Sequence, residues 1–157
     1  MHATMTKLQV WERWKQRKAV GVFAAYEDAF TAARGMEFCR GFAKYLGPDC
    51  VLKQTVWLLD EFRAPKLKEI AAGEAAVADL VLISVHHHQD LPEEFRLWVE
   101  TWLGCRGNRS PVLLILPEPG SSGEDAIKMF LEEVAERQRL EFLLQSEETH
   151  GEHRIDA

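Results

Sequence analysis

The chain is predicted to fold as a three-layer α/β/α sandwich around a five-stranded parallel sheet. Two observations carry that prediction. Short apolar runs recur at 19–26, 50–59, 78–85, 111–117 and 140–145, each too short for a buried helix and suited to a strand covered on both faces. Between them lie segments whose apolar residues return every three to four positions, the period of one helical face. At 157 residues the chain is long enough for one such domain and its core.

Each element has its own reason. "AVGVFAAY" (19–26) is the first strand, and Ala32, Met36, Cys39, Phe42, Ala43 and Leu46 then mark a helix that "GPD" at 47–49 ends by turn chemistry. "CVLKQTVWLL" (50–59) carries more polar positions and is expected nearer an edge. Pro65 fits the first turn of the next helix, with Leu67, Ile70, Ala71, Glu74, Ala75 and Ala78 along its stripe. "ADLVLISV" (78–85) is the most continuous apolar strand and is placed at the centre. Asp90 is read as the N-cap of a helix with Pro92 in its first turn and Phe95, Trp98, Val99, Trp102 and Leu103 on its apolar face. "PVLLILP" (111–117) is the fourth strand and "GSSGED" opens a helix with Ile127, Phe130, Leu131 and Val134 inside. "LEFLLQ" (140–145) supplies the fifth strand. Apolar strands alternating with helices imply right-handed crossovers, and five such units suit the flavodoxin-like order 2-1-3-4-5. Residues 1–18 form a basic, amphipathic lead-in, 19–146 the single domain and 147–157 a polar tail.

Composition narrows the function classes. The formal net charge is −6, which argues against nucleic acid as a partner, since that contact needs basic surface to displace counterions. Positive charge is concentrated at Lys7, Arg13, Lys15, Arg17 and Lys18, interleaved with Trp11 and Trp14. This segment is read as packing its tryptophans on the domain, with a local nucleic-acid or anionic-partner patch as the alternative. No apolar run approaches the roughly 20 residues of a membrane span, and no secretory pattern opens the chain, so a cytoplasmic protein without membrane contact is expected. Cys39, Cys50 and Cys105 form no CxxC pair; Cys39 is read as a small buried thiol.

In a sheet of this order, ligands lie beyond the carboxyl ends of the strands, at the switch between strands 1 and 3. Three segments are therefore expected to meet: "YEDAFTAARG", "HHHQDLP" and "PEPGSSGED". Tyr26, Glu27, Asp28, Ser84, His86, His87, His88 and Glu118 are the candidate binding residues, with Asp90 nearby. His86, His88, Glu27 and Asp28 are the candidate catalytic ones. Consecutive residues of an extended segment point alternately, so His86 and His88 can share a face while His87 looks away. The triplet has three readings: a rim that caps backbone groups, a metal site, or proton transfer by one imidazole, whose unperturbed pKa lies near neutrality. It lacks the spaced second ligand pair of a zinc motif, and no metal ligand is assigned. GxGxxG and GxxxxGK[ST] are absent, which disfavours a flavin or dinucleotide; "PGSSG" at 119–123 is either an anion loop or a plain N-cap, and the cofactor stays unknown.

"VFAAYED", "ADLVLIS" and "PVLLIL" resemble the strands of bacterial response-regulator receiver domains over about 125 residues. In that family an acidic pair after strand 1 holds magnesium, and Glu27 and Asp28 match it. The phosphoacceptor aspartate falls on Ser84, the expected Thr or Ser on Leu116 or Pro117, and the expected lysine has no match in "LLQSEE". The resemblance thus implies a receiver lacking its phosphoacceptor. Tyr26-Glu27-Asp28, Trp57, Leu59, Pro65, Leu67, Ala78-Asp79, Ser84, His86 and Leu91-Pro92 also resemble a group of uncharacterised bacterial flavodoxin-like proteins. The leading expectation is a non-catalytic, receiver-like binding or regulatory domain with a small-molecule ligand or protein partner. One alternative is a small-molecule enzyme with a His/carboxylate site at the carboxyl ends of strands 1 and 3. Another is an interaction subunit or homodimer using the Trp98/Trp102 helix, whose stripe is otherwise expected to pack against the sheet.

Overall fold

The computed structural model describes residues 7–120 and 124–145. The expected polar tail from 147 and most of the "GSSG" turn lie outside the described residues. The elements are α1 (Lys7–Glu12), β1 (Ala19–Tyr26), α2 (Ala29–Leu46), β2 (Val51–Leu58), a 3₁₀ turn (Leu59–Arg63), α3 (Pro65–Ala76), β3 (Leu80–Ser84), α4 (Glu93–Cys105), β4 (Val112–Leu116), α5 (Ala126–Gln138) and β5 (Phe142–Leu144). The five strands form one sheet in the order β2-β1-β3-β4-β5, and every pairing is parallel. The predicted fold class and strand order are therefore observed. Among the described residues no helix is long and apolar enough to cross a membrane.

The all-apolar runs become the sheet centre. Every residue of β3 and of β4 is buried, whereas β2, at the edge, alternates between exposed and half-buried positions. Strand alternation divides β1 between two cores. Phe23 and Ala25 join a cluster with α3, α4 and α5, while Val20, Val22, Ala24 and Tyr26 join one with α1 and α2. Trp11 and Trp14 anchor α1 and the turn after it on the second cluster, with Trp11 and Phe42 ring centroids 4.7 Å apart.

Three local expectations are corrected, and the Trp98/Trp102 stripe packs inward. The buried face of α2 is Thr31, Gly35, Cys39, Phe42 and Leu46; Met36 is exposed, because the helix turns its small residues toward β1 and β3. On α3 the buried residues are Ala71, Ala72, Ala75 and Ala76, so the helix packs by close approach and leaves Ile70 and Leu67 outward. Helix α4 begins at Glu93 with Pro92 in the cap position, not Asp90, since proline's fixed φ suits the extended residue before the first turn. Trp98 and Trp102 are fully buried, stacked with each other and, through Trp98, with Phe23 and Phe62. An interaction stripe built on those two tryptophans has no exposed surface to offer.

Candidate functional site

Register brings the three loops together. Tyr26 pairs with Ser84 and Ser84 with Leu116, so the residues that follow each strand leave the sheet side by side. Helix α2 starts immediately after β1 through a reciprocal cap. Asp28 Oδ1 accepts the Thr31 backbone N–H at 3.0 Å, and Thr31 Oγ1 accepts the N–H of Asp28 at 2.9 Å and of Glu27 at 2.8 Å. This tight turn fixes both acidic side chains at the sheet rim.

The histidine segment lies across that rim. His86 places its ring between carboxylates of two other loops: Nε2 is 2.7 Å from Asp28 Oδ2 and Nδ1 is 3.0 Å from Glu118 Oε1. A carboxylate only accepts, so engaging both nitrogens at once requires the imidazolium form of the ring. The Asp28 hydrogen bond foremost, then that of Glu118, raises the His86 pKa against a smaller opposing effect of burial. The reciprocal effects hold both acids below their ordinary range. For Asp28 the largest cause is the Thr31 N–H, followed by His86; for Glu118 it is the His87 N–H, again followed by His86. The Glu118 oxygen that meets His86 also accepts that N–H at 3.1 Å.

Glu27 Oε1 serves two neighbours, the His86 N–H at 2.6 Å and His88 Nε2 at 2.8 Å. Because that oxygen accepts, His88 donates to it from Nε2. His87 turns away: its Nε2 is buried with no hydrogen-bond partner among the described residues. Of the predicted site residues, Glu27, Asp28, His86, His88 and Glu118 thus form one hydrogen-bonded cluster.

Besides His87, two predicted binders have side chains outside it. Tyr26 is fully buried under α2, its ring against Gly35. Ser84, also fully buried, donates from Oγ to the Thr31 carbonyl at 2.8 Å, tying β3 to the first turn of α2. Both lie on the sheet face toward α2 and neither can touch a ligand at the rim. Three further residues complete the cluster from outside the prediction. Thr31 sets the cap. Arg34 Nη2 donates to the Val85 carbonyl at 2.9 Å, and its charge helps keep Glu118 ionised. Asp125, nearly buried, caps α5 through Ile127 N–H at 3.1 Å and receives the His88 N–H at 3.4 Å. The D-x-x-T spacing of 28–31 was a readable cap signal; Arg34 carried none.

Both members of the acidic pair already have hydrogen-bond partners. Asp28 Oδ2 faces His86 Nε2, and Glu27 Oε1 accepts two hydrogen bonds. Among the described residues no group of three or more His, Cys, Asp or Glu is arranged to hold a metal ion. His86, with both nitrogens committed, is a poor base; His88, with one nitrogen held by a carboxylate, is the imidazole whose arrangement suits proton acceptance. Cys39, the buried thiol of α2, has its pKa pushed up to about 11 by burial, which makes it inert. Compared with protein families, curated proteins and solved structures, the chain matches none.

Proposed function

We propose that the protein is a non-catalytic, receiver-like regulatory or binding domain whose carboxyl-edge loops are held by a protonated histidine. The observation that carries the reading is His86 bridging Asp28 and Glu118, one ring nitrogen on each. The imidazolium supplies positive charge to the acidic pair, the task that magnesium performs in receivers. Ser84 supports the same reading: it is buried, hydrogen-bonded and chemically unlike a phosphoacceptor aspartate. A lock of this kind ties the β1–α2, β3–α4 and β4–α5 loops into one surface that a ligand or protein partner reads when His86 is charged.

The test is an amide NMR titration of the wild-type and His86→Gln proteins, with exposure to acetyl phosphate and magnesium followed by intact mass. Resonances from 27–31, 85–88 and 118 are expected to move together as His86 titrates, and not in His86→Gln. No phosphoryl group is expected to be acquired. Stoichiometric phosphorylation, or a saturable magnesium site lost in Glu27→Gln, overturns the reading. Turnover of a general ester or phosphoester that disappears in His88→Gln would instead install the enzyme reading, with Glu27 orienting His88.

A further inference from the structure

A group of three arginines lies at the other end of the sheet. A cavity of about 400 Å³ opens at the amino ends of β1, β3 and β4, within the 300–1,000 Å³ range of small-ligand pockets. Its lining comes from three chain segments: Arg13, Trp14 and Arg17 before β1, Ala78 and Asp79 before β3, and Arg109 to Val112 entering β4. Three arginines and one aspartate therefore line it, in a chain whose formal net charge is −6.

The single acid is already committed on both oxygens. Asp79 Oδ1 meets Arg17 Nη1 at 3.0 Å and Oδ2 accepts the Gly21 N–H at 2.8 Å. It neutralises Arg17 and stitches β3 to β1. Arg13 and Arg109 have no carboxylate within salt-bridge distance among the described residues. Trp14, Ala78, Pro111 and Val112 supply the apolar part of its lining.

The walls are also braced before any ligand arrives. Trp14 is 8% exposed and packs edge-on against Phe42 of α2, fixing the segment that carries Arg13 and Arg17. On the other side the Arg109 N–H bonds the Arg106 carbonyl at 3.1 Å, and the Arg106 guanidinium returns to the Arg109 carbonyl and to Gln138 Oε1 at 2.8 Å. Gly107, at φ +60, makes that tight turn without strain. Arginines beside apolar side chains are the features that recognise an anion carrying a hydrophobic body.

We infer that this amino-edge cavity binds a small organic phosphate, its phosphate between Arg13 and Arg109 and its apolar body against Trp14 and Pro111. The site is separate from the carboxyl-edge lock and its existence does not depend on that reading. Calorimetric titration of the full chain with three probes tests it: phenyl phosphate, inorganic phosphate and benzyl alcohol. Phenyl phosphate is expected to bind one-to-one, about tenfold tighter than inorganic phosphate, with benzyl alcohol silent. Arg13→Gln and Arg109→Gln, both at exposed positions, should each weaken phenyl phosphate about fivefold to tenfold while leaving the melting temperature unchanged. Absence of saturable phenyl phosphate binding at millimolar concentration, or equal binding by the double variant, overturns the site. Equal affinity for inorganic phosphate overturns the role given to Trp14 and Pro111.

Discussion

A Cβ built on Gly35 would fall 2.2 Å from Cε1 and 2.5 Å from Cζ of Tyr26, whose ring is fully buried and has nowhere to move. Helix α2 can therefore lie on β1 only with glycine at that position. Gly41, in the same helix, meets nothing within 4 Å. The two sites separate packing from propensity. Gly35→Ala is expected to destabilise by roughly 1–3 kcal/mol through overpacking. Gly41→Ala should stabilise by about 0.5–1 kcal/mol, the ordinary helical gain. Urea unfolding of both variants checks the pair; a neutral Gly35→Ala would mean that the helix simply moves away. Residue-level reading of the site went astray at Tyr26 and Ser84 for a related reason. Their neighbours in sequence face the rim, but strand alternation sends these two side chains to the α2 face, alongside Val22, Ala24, Leu80 and Leu82. Period-two counting from Val22 would have shown it.

At the scale of elements, α4 is held by an aromatic stack. Trp98 lies 4.7 Å from Phe62, 5.3 Å from Phe23 and 5.6 Å from Trp102, all within 14° of parallel. One helix, one strand and the 3₁₀ turn thus share a single contact. Trp98→Ala is expected to cost about 3–5 kcal/mol by urea unfolding. Its indole N–H is buried without a partner among the described residues, so Trp98→Phe gives up no hydrogen bond and should cost less than half as much. Equal losses for the two variants would show that the N–H, not the ring, matters. Periodicity made α4 readable as a helix, yet period alone cannot say whether its stripe faces the sheet or a partner. The stripe of α3 shows the same limit: its alanines, not Leu67 and Ile70, face inward, because close helix–helix contact with α4 favours small side chains.

For the whole molecule, apolar run length and helical spacing were enough to place β1 beside β3, and strand-order rules then brought the acidic turn to the histidines. What those rules could not supply is the pairing, since hydrogen-bond partners depend on side-chain directions that no spacing encodes. The pairing has a consequence for stability. His86 has a folded pKa above its ordinary 6.5, so its contribution is complete below 6.5 and is lost as pH rises through the folded value. Asp28 and Glu118 have folded values below their ordinary 3.8 and 4.5, so theirs is complete above 4.5 and is lost as pH falls through those lowered values. The two conditions overlap between about pH 4.5 and 6.5, where the lock is complete. Wild-type stability minus that of His86→Gln should therefore be greatest in that window and shrink on either side. On the alkaline side a neutral imidazole keeps one N–H and can satisfy only one of its two acids. Urea midpoints measured for both proteins from pH 4 to 9 give the difference directly. A difference that stays level across that range would mean that His86 does not bridge the two loops, and that the charged rim is held by Glu27 and the backbone alone.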